Sequence, residues 1–283
     1  MYNAVFEADN GRVYYFGKKG KTIFDMEIGD GVSVDIGTSQ GFLQIGETVE
    51  NYTISGRNIT VNGAIYGADV DKRKKEMRGV FSPFTSGRLT IENKYYIRVT
   101  VKETPSFSPI KGDGRFTMLL FAPYPFFKEI ETRSFLVGET KPHFTFPVNY
   151  AKTHFFGIKD ATAPINIYNS GDVKADFRLH IRCTGLCQNV AVRNLSTFEE
   201  LKLNGEMILG DVINFYKSDN GVLRCELVRD GQTIDILNWV DDESDLFELQ
   251  RGENVISATD DGGGANLFVN LIFNPSVVAV YED

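Results

Sequence analysis

The chain is short of the residues that most often carry chemistry. In 283 residues it has three cysteines, three histidines and one tryptophan. Cys183, Cys187 and Cys225 are an odd number, so a disulfide framework is not expected and reduced thiols are the default reading. His180, Cys183 and Cys187 lack the paired Cys-x-x-Cys spacing of a structural zinc site. His180 and Cys183 also differ by an odd number, which sends them to opposite faces of one strand. There is no Gly-x-Ser-x-Gly elbow and no His-Glu-x-x-His, which leaves two classes of hydrolase without support. Gly20-Lys21-Thr22 ends like a phosphate-binding loop, but position 15, where such a loop opens on glycine, holds Tyr15. No cofactor and no catalytic or metal residue is expected.

Positive charge is also in deficit. Thirty Lys and Arg stand against 38 Asp and Glu, a net charge of −8. An acidic surface repels phosphate, which argues against sequence-specific nucleic-acid binding. Long apolar runs are missing. No stretch reaches the roughly 18 residues of a membrane span, so no membrane insertion is expected. The N-terminal Met1-Tyr2-Asn3-Ala4-Val5-Phe6-Glu7 has neither a basic nor an apolar region of signal-peptide type. That sets the expectation of folding in a cytoplasm.

Aromatics and turn formers are what the chain does have. Phe (22), Tyr (12) and Gly (27) are abundant, and rings and β-branched residues fit a pleated surface while glycine supplies turns. The expectation is a mostly β chain, long enough for two domains. Arg12-Val13-Tyr14-Tyr15-Phe16 and residues 23–28 read as strands, with Phe24, Met26 and Ile28 on one face at the strand period. Residues 48–55 and 58–63 read as a hairpin turning at Gly56-Arg57. The convincing helix runs from Asp69 to about Phe81, with Asp69 as a side-chain cap and Val70, Met77 and Phe81 facing a sheet. Its Lys72-Arg73-Lys74-Lys75 run reads as a solvated face. Tyr95-Tyr96-Ile97-Arg98-Val99-Thr100-Val101 reads as a strand, residues 104–114 as a loop, and 116–121 as a strand covered on both faces.

Ala122-Pro123-Tyr124-Pro125-Phe126-Phe127 breaks regular structure twice, since proline lacks the N–H that a central strand needs. A domain boundary is placed there. Residues 1–130 form the first domain, with 274–283 as a candidate completion of it, and 131–283 form the second. The aromatics Phe135, Phe144, Phe146, Phe155 and Phe156 imply a packed covering segment over 128–160. Beyond it, Phe177-Arg178-Leu179-His180-Ile181-Arg182-Cys183, Leu223-Arg224-Cys225-Glu226-Leu227 and Leu267-Phe268-Val269-Asn270-Leu271-Ile272-Phe273 carry strand patterning, with Asp219-Asn220-Gly221 among the turns between them. Asp241-Asp242-Glu243-Ser244-Asp245 lacks the spacing and central glycine of a calcium loop and reads as a solvated acidic loop. Glu199 and Glu200 are adjacent and would leave a strand on opposite faces. The isolated histidines His143, His154 and His180 read as surface or core residues. Trp239 reads as a buried filler of a sandwich more than as an exposed sugar platform.

The order of several segments resembles one family. Asn62-Gly63-Ala64-Ile65-Tyr66-Gly67-Ala68-Asp69 leads into the basic helix, then into Phe81-Ser82-Pro83-Phe84-Thr85-Ser86-Gly87-Arg88-Leu89. Glu103-Thr104-Pro105-Ser106-Phe107 and Phe121-Ala122-Pro123-Tyr124-Pro125-Phe126 close the first half. In the second half Gly210-Asp211-Val212-Ile213-Asn214-Phe215, Ser244-Asp245-Leu246-Phe247-Glu248-Leu249, Gly252-Glu253-Asn254-Val255-Ile256 and the run 273–281 follow. The chain thereby resembles the distal tail proteins of long-tailed (siphovirus-type) bacteriophages and related phage-like tails.

That resemblance implies an N-terminal β-sandwich or split-barrel domain with one helix, and a C-terminal galectin-like β-sandwich. It implies a structural, non-enzymatic baseplate protein. Six copies would form a ring at the virion's tail tip, assembled in the bacterial cytoplasm. The ring would join the tail tube protein to the tail-tip hub or fibre protein, with DNA passing through an acidic centre. Residues 23–28 are the candidate neighbour contact through strand-edge pairing, with Phe24, Met26 and Ile28 as the candidate interface residues. Two other functions are kept open. One is a carbohydrate-binding host-recognition module centred on Trp239. The other is a glycan-cleaving enzyme with a carboxylate pair that spacing cannot name.

Overall fold

The computed structural model describes residues 3–28, 31–142, 157–160, 162–218 and 221–280, with 139–142 and 157–160 in backbone only. His143, His154, Phe144, Phe146, Phe155, Phe156, Asp219 and Asn220 lie outside the described residues. Strands dominate and one α-helix is present among the described residues. The chain separates into two compact units. Met1–Glu131 with Ser276–Asp283 form unit 1, and Thr132–Pro275 form unit 2.

Unit 1 contains β1 (Ala4–Ala8), β2 (Val13–Tyr15), β3 (Thr22–Met26), β4 (Val34–Ser39), β5 (Thr48–Ile54), β6 (Arg57–Ile65), α1 (Val70–Val80), β7 (Ser86–Ile91), β8 (Tyr95–Phe107), β9 (Arg115–Ala122) and β10 (Phe127–Glu129). Its main sheet runs β2-β1-β7-β8-β9-β6-β3, every pair antiparallel. The two terminal strands, β2 and β3, are consecutive in sequence and joined by a Gly17–Thr22 bridge. The sheet therefore curls back on itself as a split barrel. α1 lays Met77 and the following Phe81 into the interior, both fully buried, with Val70 packed at the margin. Phe81 stacks on Phe6 at 4.7 Å between ring centroids, meets Tyr14 edge-on and lies tilted against Phe16. A buried phenyl ring contributes about 2–3 kcal/mol, so this aromatic knot holds the helix to the sheet.

Several local expectations change. Asp69 stands at the helix N-cap, but in the left-handed region (φ 63°) and with no side-chain capping bond. Its carbonyl, not its carboxylate, accepts the first helical bond, from Arg73 N at 3.0 Å. β5 does not pair with β6. It pairs with β4 as a separate two-stranded ribbon, while β6 lies between β3 and β9. Gly56 is needed for space and not for a tight turn, because a Cβ there would sit 2.4 Å from the Phe121 ring. β8 runs on through 104–107, where the sequence reads as loop. Two register shifts beside Glu103 let the strand carry Pro105 without a ladder bond at that place. β9 is buried on one face only, with Leu119 and Phe121 half-buried on the other.

Unit 2 contains β11 (Arg133–Val137), β12 (Glu139–Pro142), β13 (Gly157–Asp160), β14 (Ile165–Asn169), β15 (Phe177–Cys183), β16 (Cys187–Asn194), β17 (Glu199–Met207), β18 (Val212–Lys217), β19 (Leu223–Arg229), β20 (Gln232–Asp235), β21 (Gly252–Thr259) and β22 (Leu267–Phe273). A six-stranded sheet, β11-β22-β15-β18-β19-β20, faces a four-stranded one, β14-β21-β16-β17, across one apolar core. This is a β-sandwich. The alternation read from 177–183 and 267–273 is realised, with odd-numbered residues of both strands buried. The last strand, β23 (Ser276–Val277), belongs to unit 1, where it pairs with β10. Arg57 Nη2 donates to Val278 O at 2.6 Å and Val280 N to Ile28 O at 3.1 Å.

Candidate functional site

The Gly210–Asp211 entry to β18 is a structural lock. Gly210 takes φ 94°, a value that costs glycine no steric penalty. Asp211, 2% exposed, then accepts a forked pair of bonds from Arg229 on β19 and a third from Ile208 N at 2.8 Å. The bonds from Arg229 hold the Asp211 carboxyl below the usual carboxylate range. Asn254 on β21 does similar work. It is fully buried and bonds both Asn194 and the backbone of Gln250. These conspicuous polar residues of the second half hold the sandwich together; Gly210 and Asp211 also line a pocket of about 330 Å³ with Arg182, Thr184 and Phe268, where the Asp211 carboxylate is taken up by Arg229.

Carboxylates converge at one end of the sandwich. An antiparallel bridge between Ala175 and Leu249 sets Asp176 beside Glu248. Lys217, at the end of β18, reaches Asp176 at 3.2 Å and Glu248 at 3.6 Å. They rim a pocket of about 170 Å³ floored by Phe177, Phe215 and Phe247. Burial, reinforced by the neighbouring Asp176, pushes the Glu248 carboxyl up. Burial works against the Lys217 ammonium, but Asp176 and Glu248 outweigh it and raise its pKa. Sequence spacing could not name this pair, because the two acids are far apart along the chain and only the bridge brings them together. A glycosidase pair must flank open space for a sugar and a water. Here an ammonium stands between the acids, and the space is below the roughly 300 Å³ at which ligand pockets begin. The arrangement is an ion triad over an aromatic floor.

Other sequence candidates fall into structural roles. His180 accompanies Asn214 at 2.9 Å, on the face of β15 opposite Cys183. All three cysteines are free and buried, and burial pushes the thiols of Cys187 and Cys225 up to about 12. Such thiols are poor nucleophiles. Among the described residues no cluster of three His, Cys, Asp or Glu could hold a metal, and no helix is long and apolar enough to cross a membrane. Asp241 is occupied by Glu243 N of its own loop at 2.9 Å and by two side chains of β17, Asn204 at 2.6 Å and Lys202 at 3.6 Å. Glu200 pairs with Arg193 at 2.6 Å. Trp239 is half-buried and packs against the sandwich core, so it is no open platform. Its ring crowds Gly205, where a Cβ would come within 2.2 Å of it.

The interface residues expected from the sequence need correction. Phe24, Met26 and Ile28 do share one face, but it is the inner one. They are 8%, 4% and 5% exposed and belong to the core of unit 1. Inward alternation is what a strand of a closed sheet shows, so these side chains cannot meet a neighbour. The surface that the sequence reading missed lies next along the chain. The β4–β5 ribbon pairs Val34 with Ile54 and Ile36 with Tyr52, which puts four large apolar residues on one face of the ribbon. All four are exposed, as are Phe42, Leu43 and Ile45 at its tip. A lone two-stranded ribbon is marginal in water, and an apolar patch of this kind marks an interaction surface. The signal that could have found it is the alternation of Val34, Ile36, Tyr52 and Ile54 in a segment with few charges.

No protein-family model and no curated protein sequence matches the chain. Among solved structures the chain is similar to SPP1 Dit (gp 19.1), described as a paradigm of the hub adsorption apparatus in phages that infect Gram-positive bacteria. The TM-score is 0.67 at 12% identity, over 98% of this chain and 99% of that one. Weaker likenesses are to chains of the phage P2 baseplate in its activated conformation, with calcium (TM-score 0.48, 12% identity, 96% and 97% covered) and with strontium (0.46, 13%, 96% and 97%). The chain therefore has, along almost its full length, the two-unit β fold of a phage hub protein.

Proposed function

We propose that the chain is a non-enzymatic structural protein of a phage or phage-like tail tip, a distal tail protein. Its copies form a ring, hexameric as in the family it resembles. That ring joins the tail tube to the tail-tip hub or fibre protein. Unit 1 makes the ring and unit 2 is the appended β-sandwich. The observation that carries this reading is the likeness to SPP1 Dit over the length of both chains. The exposed apolar ribbon of unit 1 supports it, since a surface of that kind calls for a protein partner. The net charge of −8 suits a ring that DNA must pass without being held. Assembly takes place in the host cytoplasm and the product resides in the virion. A carbohydrate-recognition role would need an open aromatic platform, and Trp239 does not offer one.

The test is the mass of the purified chain by native mass spectrometry and sedimentation, with electron images of the same sample. The expected result is a closed oligomer of about six copies with a central hole. A monomer at every concentration, with no rings on grids, overturns the proposal.

A further inference from the structure

Resting on the ring reading, we propose that the tip of the β4–β5 ribbon of one copy inserts into a cationic groove beside α1 of the next copy. The occupant of the groove is a second molecule of this same chain. Both halves of the contact lie in unit 1.

The tip is built to present apolar side chains. Phe42 is 97% exposed and Leu43 87%, and Ile45 is fully exposed. The turn is fixed by its own bonds: Gln44 Oε1 accepts from Gly41 N at 2.8 Å, Gln44 Nε2 donates to Thr48 Oγ1 at 2.9 Å, and Gln40 Nε2 to Gln44 O at 3.1 Å. Leu43 sits at φ 62°, a left-handed conformation costly for a branched side chain. Each strand of the ribbon spans about 20 Å. Residues 31–56 hold Asp35, Glu47 and Glu50 and no Lys, Arg or His.

The groove has the opposite character. It is about 590 Å³, formed between the β2 turn and α1, and is lined by Arg12, Val13, Tyr15, Lys19, Arg73 and Val80 among others. Glu76 is its single carboxylate against three cations. Lys19 lies over the Tyr15 ring at 3.3 Å, and Arg12 donates to Gly79 O. Arg73 Nη1 donates to Gly20 O at 3.4 Å, which ties α1 to the turn after β2 at the edge of the groove. The carboxylates of Asp35, Glu47 and Glu50 give the ribbon the sign opposite to that of the groove. An acidic ribbon and a cationic groove are different patches of one unit, so the contact is head-to-tail. Such a contact propagates from copy to copy and closes into a ring when its rotation allows.

Two variants test the contact: L43D at the tip and R73E in the groove. Each alone is expected to be monomeric, with association weakened at least 100-fold and an unchanged circular dichroism spectrum. Mixed in equal amounts they are expected to form dimers and stop, because one copy keeps a sound groove and the other a sound tip. If both variants still form rings, or if the mixture yields no dimer, the ribbon–groove contact is wrong while the ring reading survives on the wild-type mass. A wild-type chain that is itself monomeric overturns both.

Discussion

β22 and the β4–β5 ribbon are written in the same alphabet and meet opposite fates. β22 alternates Leu267, Val269, Leu271 and Phe273 on one face, and all four are buried. The ribbon sets Val34, Ile36, Tyr52 and Ile54 on one face, and all four are exposed. Period-two alternation states that one face wants cover. It does not state whether the cover comes from the same chain or another. The difference lies in what the next elements supply. β22 is flanked by β11 and β15 and faces a second sheet, whereas β4 and β5 have only each other.

The largest effect that can break this comparison is truncation in each region. Leu271→Ala removes a fully buried side chain from the sandwich and is expected to cost about 2–5 kcal/mol of unfolding free energy. Phe42→Ala removes a larger side chain from the exposed tip and is expected to change the monomer's stability by no more than ~0.5 kcal/mol while weakening association. Urea unfolding of both variants in the monomeric L43D background reads the first quantity. A loss above about 2 kcal/mol for Phe42→Ala would show that the tip packs on its own chain.

The contrast also explains what could be read in advance. Strand positions in 177–183, 223–227 and 267–273 were legible because their own sheet covers one face, so alternation and burial coincide. The helix was legible because Val70, Met77 and Phe81 recur at helical spacing against that sheet. Pairing was not legible. The glycine at position 56 suggested a hairpin, but it answers a steric demand from Phe121, 65 positions away, that no local pattern encodes. Residues 31–47 drew no assignment, because the apolar alternation there stops at Ile36 before Gly37, too short a run to read as a strand without its partner. The triad of Asp176, Lys217 and Glu248 was invisible for a further reason, since long-range bridging alone creates it. The interface guess failed on sidedness. Phe24, Met26 and Ile28 were correctly placed on one face, but the curl of the sheet makes that face the inside.

Charge sharpens the same comparison with a smaller effect. Asp211 is enclosed and bonded to Arg229, whereas Glu47 at the ribbon tip is exposed. Asp211→Asn is expected to cost about 2 kcal/mol at neutral pH, and Glu47→Gln less than ~0.5 kcal/mol. The folded-state pKa of Asp211 is lowered by Arg229. Its contribution is therefore complete above the ordinary carboxylate pKa of ~3.9. It falls away as pH drops from there through the lowered folded value. The stability gap between wild type and Asp211→Asn, measured by denaturation from pH 7 downward, should be constant until about pH 5 and then close. A gap that widens on acidification contradicts the assigned ion pair.

The smallest effect separates strain kept for folding from strain kept for contact. Asp69 and Leu43 both hold left-handed backbones, at φ 63° and φ 62°. Glycine accepts that conformation freely, and the relief of about 1 kcal/mol or more is partly offset by the greater freedom glycine gives the unfolded chain. Asp69 has no side-chain cap bond to lose, so Asp69→Gly is expected to raise unfolding stability by about 0.5 kcal/mol and to leave the ring unchanged. Leu43→Gly removes the same strain and should be equally harmless to the monomer, yet it deletes the side chain that the tip presents. Association should then weaken about tenfold or more, which corresponds to a loss of ~1.4 kcal/mol in the contact. Paired measurements of denaturation midpoint and sedimentation on these two variants decide the matter. If Leu43→Gly assembles as well as Asp69→Gly, the left-handed leucine is an accident of the turn, and the ribbon's partner must be sought along its Val34–Ile54 face instead.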